Sequence, residues 1–370
     1  MSDKKLVTLG IIAVLAAAGA LLVSRLGEIG PETNLVIGPL VGGFDVDAVS
    51  KIVVSGEKGM QKVTLIKKDN RFVVVEKDNY PASLRKVNEL VNECMDIRTA
   101  ERRTADKANH ADLGVSEETA RNIITFYDAA DKPLTGVIVS PNSPDSQTAF
   151  ARLISDDKTY LILQSPRINS QPMNYIDTQL VQADVKKIVE VAVTDPNNAV
   201  YTLKGEKDGE FITLAEMPAG KQFKATDYRT VFTALSGLTF EDVASKEKVE
   251  VLQFDRSYIC KLNDSTVYTL KLARKEGKTY LDITAEFTDK AAVMKEKEVE
   301  SQEQLKEKEA KLLARDTVEA FAKKTANWLY IISDNKAKDL TKSLEELIED
   351  VSAPVKVDPN QPAEPNKPTA

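Results

Sequence analysis

The chain has 370 residues, 42% hydrophobic and 29% charged, enough for two folded domains with appendages. One histidine, His110, and two cysteines, Cys94 and Cys260, cannot assemble a Cys/His zinc centre, a multi-disulfide scaffold or a cysteine-ligated iron–sulfur cluster. A formal charge of −7 argues against a nucleic-acid binder, which shows a basic face.

The first element is a short tail, residues 1–5, followed by an apolar run at 6–24. Leu6 to Val23 carries no charge, and at about 1.5 Å per residue it spans roughly 27 Å, the depth of a bilayer's hydrocarbon core. Lys4 and Lys5 precede it and favour an N-terminus on the inside. The same order fits a secretory signal peptide. Against cleavage, the run is longer than a signal core and Arg25 follows it directly. It reads as an uncleaved transmembrane signal-anchor. The expected location is the inner (cytoplasmic) membrane, single-pass, with the bulk of the chain periplasmic. The mean hydropathy of −0.28 averages this run with a polar exterior.

Residues 25–43 are rich in Gly and Pro and read as a connector. A first repeat is expected over 44–180. Short β-rich runs at 52–55, 63–67 and 71–76 precede Leu84, Val87, Leu90, Val91 and Cys94, which fall at helical spacing. Strands follow at 123–127, 135–139, 150–155 and 159–163. The order then restarts in a second repeat, 181–350. Asp184 to Ile188 answers Ala48 to Ile52, Phe211-Ile212 answers Phe72-Val73, and Phe223 to Val231 answers Tyr80 to Val87. Further strands are expected at 249–254, 258–262, 267–273 and 279–287.

Residues 289–326 hold nine acidic and nine basic residues and almost no turn formers. They predict a charged helical arm inserted before a last strand at 328–332, solvated or, as the second reading, a partner-binding coiled coil. A closing helix is expected over 340–351, then a disordered Pro-rich tail, 351–370. The expected fold class is α+β: two tandem sheet-plus-helix repeats (β-β-β-α then strands), an N-terminal transmembrane helix and a long charged helical arm.

Catalytic signals are weak. His110 sits in a polar stretch without an accompanying serine or cysteine motif and reads as an exposed structural residue. Cys94 and Cys260 occupy non-equivalent places in the repeat and read as small buried hydrophobes, a disulfide being the alternative. Asp195 to Asn198 and Lys207 to Gly209 have turn chemistry without the spacing of a calcium loop. Arg102-Arg103 beside Glu101 reads as a helix end or loop. No residue is assigned a catalytic, cofactor or metal role, and no cofactor is expected.

Certain stretches resemble the bacterial domain-of-unknown-function family DUF4340. They are Asp47 to Ile52, Arg71 to Val75, Tyr80 to Ala82, Gly209 to Ile212, Phe223 to Ala225, Asn327 to Ile332 and Lys336 to Thr341. The resemblance covers roughly 44–350, in two tandem copies behind the anchor. It implies envelope proteins with one N-terminal membrane segment, no assigned catalysis, and genes near ABC-type exporter permeases and gliding-motility-like auxiliary subunits. The functional expectation is therefore a membrane-anchored extracytoplasmic accessory or scaffold, not an enzyme. Its expected partners are the membrane, through 6–24, and ABC-type exporter subunits, with no nucleic acid. The alternatives are a carboxylate-based hydrolase or carbohydrate-active enzyme, and an envelope protein binding a lipid or small ligand.

Overall fold

Alternating burial drives most of the backbone into strands. In the computed structural model the described residues are 35–142, 148–224, 226–291 and 301–351. The signal-anchor at 6–24, most of the connector and the tail beyond 351 lie outside them. Among the described residues, no helix is long and apolar enough to cross a membrane. The chain divides into two compact units, Met1–Ile176 and Asp177–Ala370.

In the first unit the strands are β1 (Leu35–Pro39), β2 (Lys51–Ser55), β3 (Lys62–Lys68), β4 (Arg71–Val74) and β5 (Tyr80–Pro81). Helix α1 (Leu84–Met95) follows, then β6 (Arg98–Thr104), β7 (Asn122–Tyr127), β8 (Pro133–Val139), β9 (Ala149–Leu153) and β10 (Thr159–Ile162). All pair antiparallel in one sheet, ordered β1-β6-β10-β9-β8-β7-β2-β3-β4-β5. Ile52 and Val54 of β2, Val63 and Leu65 of β3, and Ile124 and Phe126 of β7 point into one core, two residues apart as a pleated strand requires. Val87, Leu90 and Cys94 form the buried stripe of α1. Asp69 and Asn70 both have positive φ, which turns β3 into β4 through a two-residue hairpin.

The second unit contains β11 (Gln179–Val181), β12 (Ile188–Thr194), β13 (Val200–Glu206), β14 (Phe211–Leu214) and β15 (Lys221–Phe223). After helix α2 (Asp227–Phe232) come β16 (Leu238–Thr239), β17 (Asp242–Ser245), β18 (Arg256–Leu262), β19 (Thr266–Lys275) and β20 (Lys278–Phe287). The chain closes with helix α3 (Gln302–Thr325), β21 (Trp328–Ile332), helices α4 (Asp334–Thr341) and α5 (Leu344–Leu347), and β22 (Ile348–Asp350). The main sheet runs β14-β13-β12-β18-β19-β20-β21-β17, while β11 pairs β16 and β15 pairs β22. Tyr258, Leu270, Leu281, Ile283 and Tyr330 are fully buried among its side chains. Read from β4 to β6, the first sheet is β4-β3-β2-β7-β8-β9-β10-β6, the same ladder in chain order.

Several expectations are corrected. The fold class is mostly antiparallel sheet with few helices, not α+β repeats each carrying a substantial helix. The reason lies partly in α2, whose helical run stops after six residues, and partly in segments that carry too little periodicity to be read as strands. Arg102-Arg103 beside Glu101, expected as a helix end or loop, lie in Arg98–Thr104, which pairs with β1 and β10 as β6. The expected strand at 249–254 is absent, and Val251 is 95% exposed. The closing helix over 340–351 is instead α4, α5 and β22. The solvated arm over 289–326 is corrected to α3, which lies against β20 and has Val318 and Thr325 buried. Residues 292–300 of the expected arm lie outside the described ones.

Candidate functional site: the inserted helix and its grooves

Helix α3 is specified at both ends. At its start Gln304 N–H donates to Ser301 Oγ (3.2 Å) and Ser301 N–H donates to Gln304 Oε1 (2.9 Å), a reciprocal capping box. Glu303 in the first turn and Lys323 and Lys324 in the last complement the helix dipole. Lys311 then ties the middle of the helix to the chain leaving β20: its Nζ is 2.7 Å from Asp289 Oδ2 and donates to the Ala291 carbonyl at 2.8 Å. Those contacts, the Lys311 hydrogen bond first and the Ala291 N–H next, hold the Asp289 carboxyl below its ordinary pKa.

Only the second half of α3 is well seated. Val318, Phe321 and Thr325 are spaced i, i+3, i+7 on the sheet side, and Phe321 meets Tyr268 edge-on with ring centroids 5.5 Å apart. The Thr325 hydroxyl is satisfied by the Phe321 carbonyl at 3.0 Å. The first turns, 302–307, are exposed throughout, with Leu305 51% accessible, and midway along the helix Leu313 is 67% accessible. Two grooves run along opposite flanks. One, about 510 Å³, is lined by Phe287, Leu312, Arg315 and Ala322. The other, about 330 Å³, is lined by Leu262, Tyr268, Leu313 and Thr317. Apolar floors with charged rims suit them to hold a partner's side chains.

The residues singled out from sequence do not converge on a site. His110 is 3% exposed, not solvated as expected. Its Nε2–H donates to the Asp157 carbonyl at 2.9 Å and its own carbonyl accepts from Val115 N–H, so it pins two loops together. Cys94 and Cys260 are free and buried. Burial, with Glu93 adding to it at Cys94, pushes both thiols up to about 12, so neither is a nucleophile at neutral pH. Asp195 is buried in the β12–β13 turn, where its Oδ1 accepts from Asn197 and Ala199 N–H. Lys207 to Gly209 form the next hairpin, and Lys207 lies 4.9 Å over the Phe211 ring. Arg102 and Arg103 belong to strand β6. Among the described residues, no group of three or more His, Cys, Asp or Glu side chains is placed to hold a metal ion. Sequence reading passed over the arginines that the fold uses: Arg152, buried, donates to the Val115 and Leu153 carbonyls. Val115 lies in a loop 37 residues before Arg152, so no local pattern announces the contact.

A family model described as "Domain of unknown function (DUF4340)" matches residues 73–257. The chain belongs to the DUF4340 family. The match is single: it begins within β4 and ends within β18, so α3 and the first groove lie outside the matched span, while the second groove is also lined by Gln182 to Asp184 and Lys187 inside it. Comparison of the chain with curated proteins and with solved structures gives no match.

Proposed function

We propose that this DUF4340 protein is an extracytoplasmic accessory, held at the cytoplasmic membrane by residues 6–24, that scaffolds a membrane complex such as an ABC-type exporter and performs no catalysis itself. The observation that carries the reading is the half-seated helix α3. A helix of 24 residues reaches roughly 36 Å. Its exposed turns present Leu305 and Leu313, two turns apart, between grooves with apolar floors. That spacing suits an amphipathic helix from a partner subunit laid along α3. The shared strand order supports a second proposal, that the second unit is a diverged copy of the first.

A photoreactive residue placed at Leu305 or Leu313 in growing cells tests the scaffold. Adducts to an integral membrane subunit of a transporter from both positions, and none from the exposed position Lys132, are expected. Absence of such adducts from both sites with several crosslinkers would overturn it. Protease digestion of whole cells and of inverted vesicles tests the topology, with cleavage confined to the outer face expected.

A further inference from the structure

The second unit holds a cleft of about 420 Å³ at one end of its main sheet. Its floor follows from strand register. Arg256, which opens β18, lies opposite Leu272 of β19, and Arg274, two residues further along β19, lies opposite Thr279 of β20. Opposed residues and residues two apart share a face, so Arg256, Arg274 and Thr279 stand together. Helix α4 forms a wall with Asp334, Ala337, Lys338 and Thr341, one helical stripe. Lys342 and Glu346 complete the rim. The lining carries four cations (Arg256, Arg274, Lys338, Lys342) and two carboxylates (Asp334, Glu346), with Asp255 and Asp227 beside it pairing Arg256 and Lys342.

The first unit provides a comparison beside the equivalent strand, one residue earlier than the place of Arg256. Strand β7 stands where β18 stands, and Arg121 immediately precedes it. Its guanidinium is surrounded by the chain's own oxygens: Nε donates to Asn122 Oδ1 (3.1 Å), Nη1 to Asn142 Oδ1 (2.5 Å), and Nη2 to Ser165 Oγ (2.8 Å) and the Pro166 carbonyl (3.0 Å). In the second unit the described residues give Arg256 one acceptor, its neighbour Asp255, at 3.1 Å from Nε. The Arg256 side chain is only 11% exposed. Arg274 reaches Asp334 at a loose 3.7 Å, and Lys342 Nζ is 3.2 Å from Asp227. Both arginines line the cleft, and a guanidinium is the group suited to meet an oxyanion in a bidentate manner.

We propose that this cleft binds a phosphate group carried by a small molecule. Three phosphate oxygens match two guanidinium forks and the ammonium of Lys338, and the cleft volume admits a glycerol- or sugar-sized substituent. Two sources share this chemistry, a soluble phosphomonoester and a phospholipid headgroup.

The test is calorimetric titration of the full chain in neutral detergent, at low ionic strength because exposed charges are screened by salt. The probes are glycerol 3-phosphate and a short-chain phosphatidylglycerol kept below its micelle concentration. Saturable binding of either probe, weakened at least tenfold in R274Q and in R256Q and unchanged in K132Q, is expected. The tighter probe identifies the source. Circular dichroism confirms that each variant is folded, and the exposed Arg274 keeps the test valid should R256Q unfold. No saturable binding of either probe, or equal affinity in R274Q and wild type, would overturn the proposal.

Discussion

The Tyr201 hydroxyl donates to the Lys342 carbonyl at 2.7 Å, joining β13 to the link between α4 and α5 across 141 residues of sequence. Tyr201 is buried, and burial first, then Asp195 and Glu346, raises its pKa well above the ordinary tyrosine value. The hydroxyl is therefore a donor at any physiological pH. Tyr201→Phe leaves that carbonyl without this donor and should destabilise the second unit by about 1 kcal/mol, read from urea unfolding. Hydrogen exchange should rise across 334–347 while the first unit is unchanged.

Position 318 decides whether α3 stays seated. Val318→Asp places a charge in a buried position with no partner designed for it, which strongly disfavours docking. Limited proteolysis should cut within 302–325 in the variant, while near-ultraviolet dichroism of the sheet is retained. Wild-type resistance in the variant would mean that Val318 does not anchor the helix.

Gly136 in β8 has no room for a side chain: a Cβ would lie 2.7 Å from the Ile124 carbonyl oxygen and 2.3 Å from Ile154 Cδ1. The carbonyl belongs to the paired strand β7 and cannot rotate away. Gly136→Ala should cost about 1–3 kcal/mol through overpacking. A melting temperature within a degree of wild type would show that the sheet relaxes around the methyl group.

The two thiols give a pH dependence whose sign is fixed. Burial raises both from an ordinary 9.0 to about 12, so in this window the unfolded chain has lost protons that the folded chain keeps. Their contribution is fully present below pH 9.0 and falls as pH rises towards 12, by up to about 1.4 kcal/mol per pH unit for each thiol. Buried tyrosines act in the same direction at the upper end. The double variant Cys94→Ala/Cys260→Ala should flatten stability between pH 9 and 10, measured by urea midpoints. Both thiols should resist iodoacetamide at pH 8 and react in denaturant.

Strands with clean alternation were legible in the sequence, as at Ile52–Val54 and Val63–Leu65, because one face of each is buried. Helix α1 was legible through Val87, Leu90 and Cys94. Strand β6 was not, since Arg98–Thr104 has two arginines and a glutamate in its middle and is held by backbone pairing to β1 and β10. The seat of α3 was read as solvent because its apolar positions are sparse before Leu312, and the few that bind the sheet are spread over its last four turns. The arginine cleft was invisible for a different reason. Arg256, Arg274 and Lys338 are far apart in sequence, and the register of β18, β19 and β20 with α4 packed against them collects them.

The placement of α3 has a bearing on how such a chain can diversify. Strand β21 returns to pair with β20 through Thr279, Tyr280 and Leu281 whatever the chain does between them. In the first unit the corresponding link, 154–158, is a short turn. Because the entropy of closing a longer link grows only logarithmically, about 0.6 kcal/mol for each doubling, this junction tolerates grafts of very different length. A relative could replace the helix with a loop, or a loop with a helix, and keep the same ladder beneath it. Under the proposed scaffold role, partner choice would then change by cassette, leaving the sheet untouched.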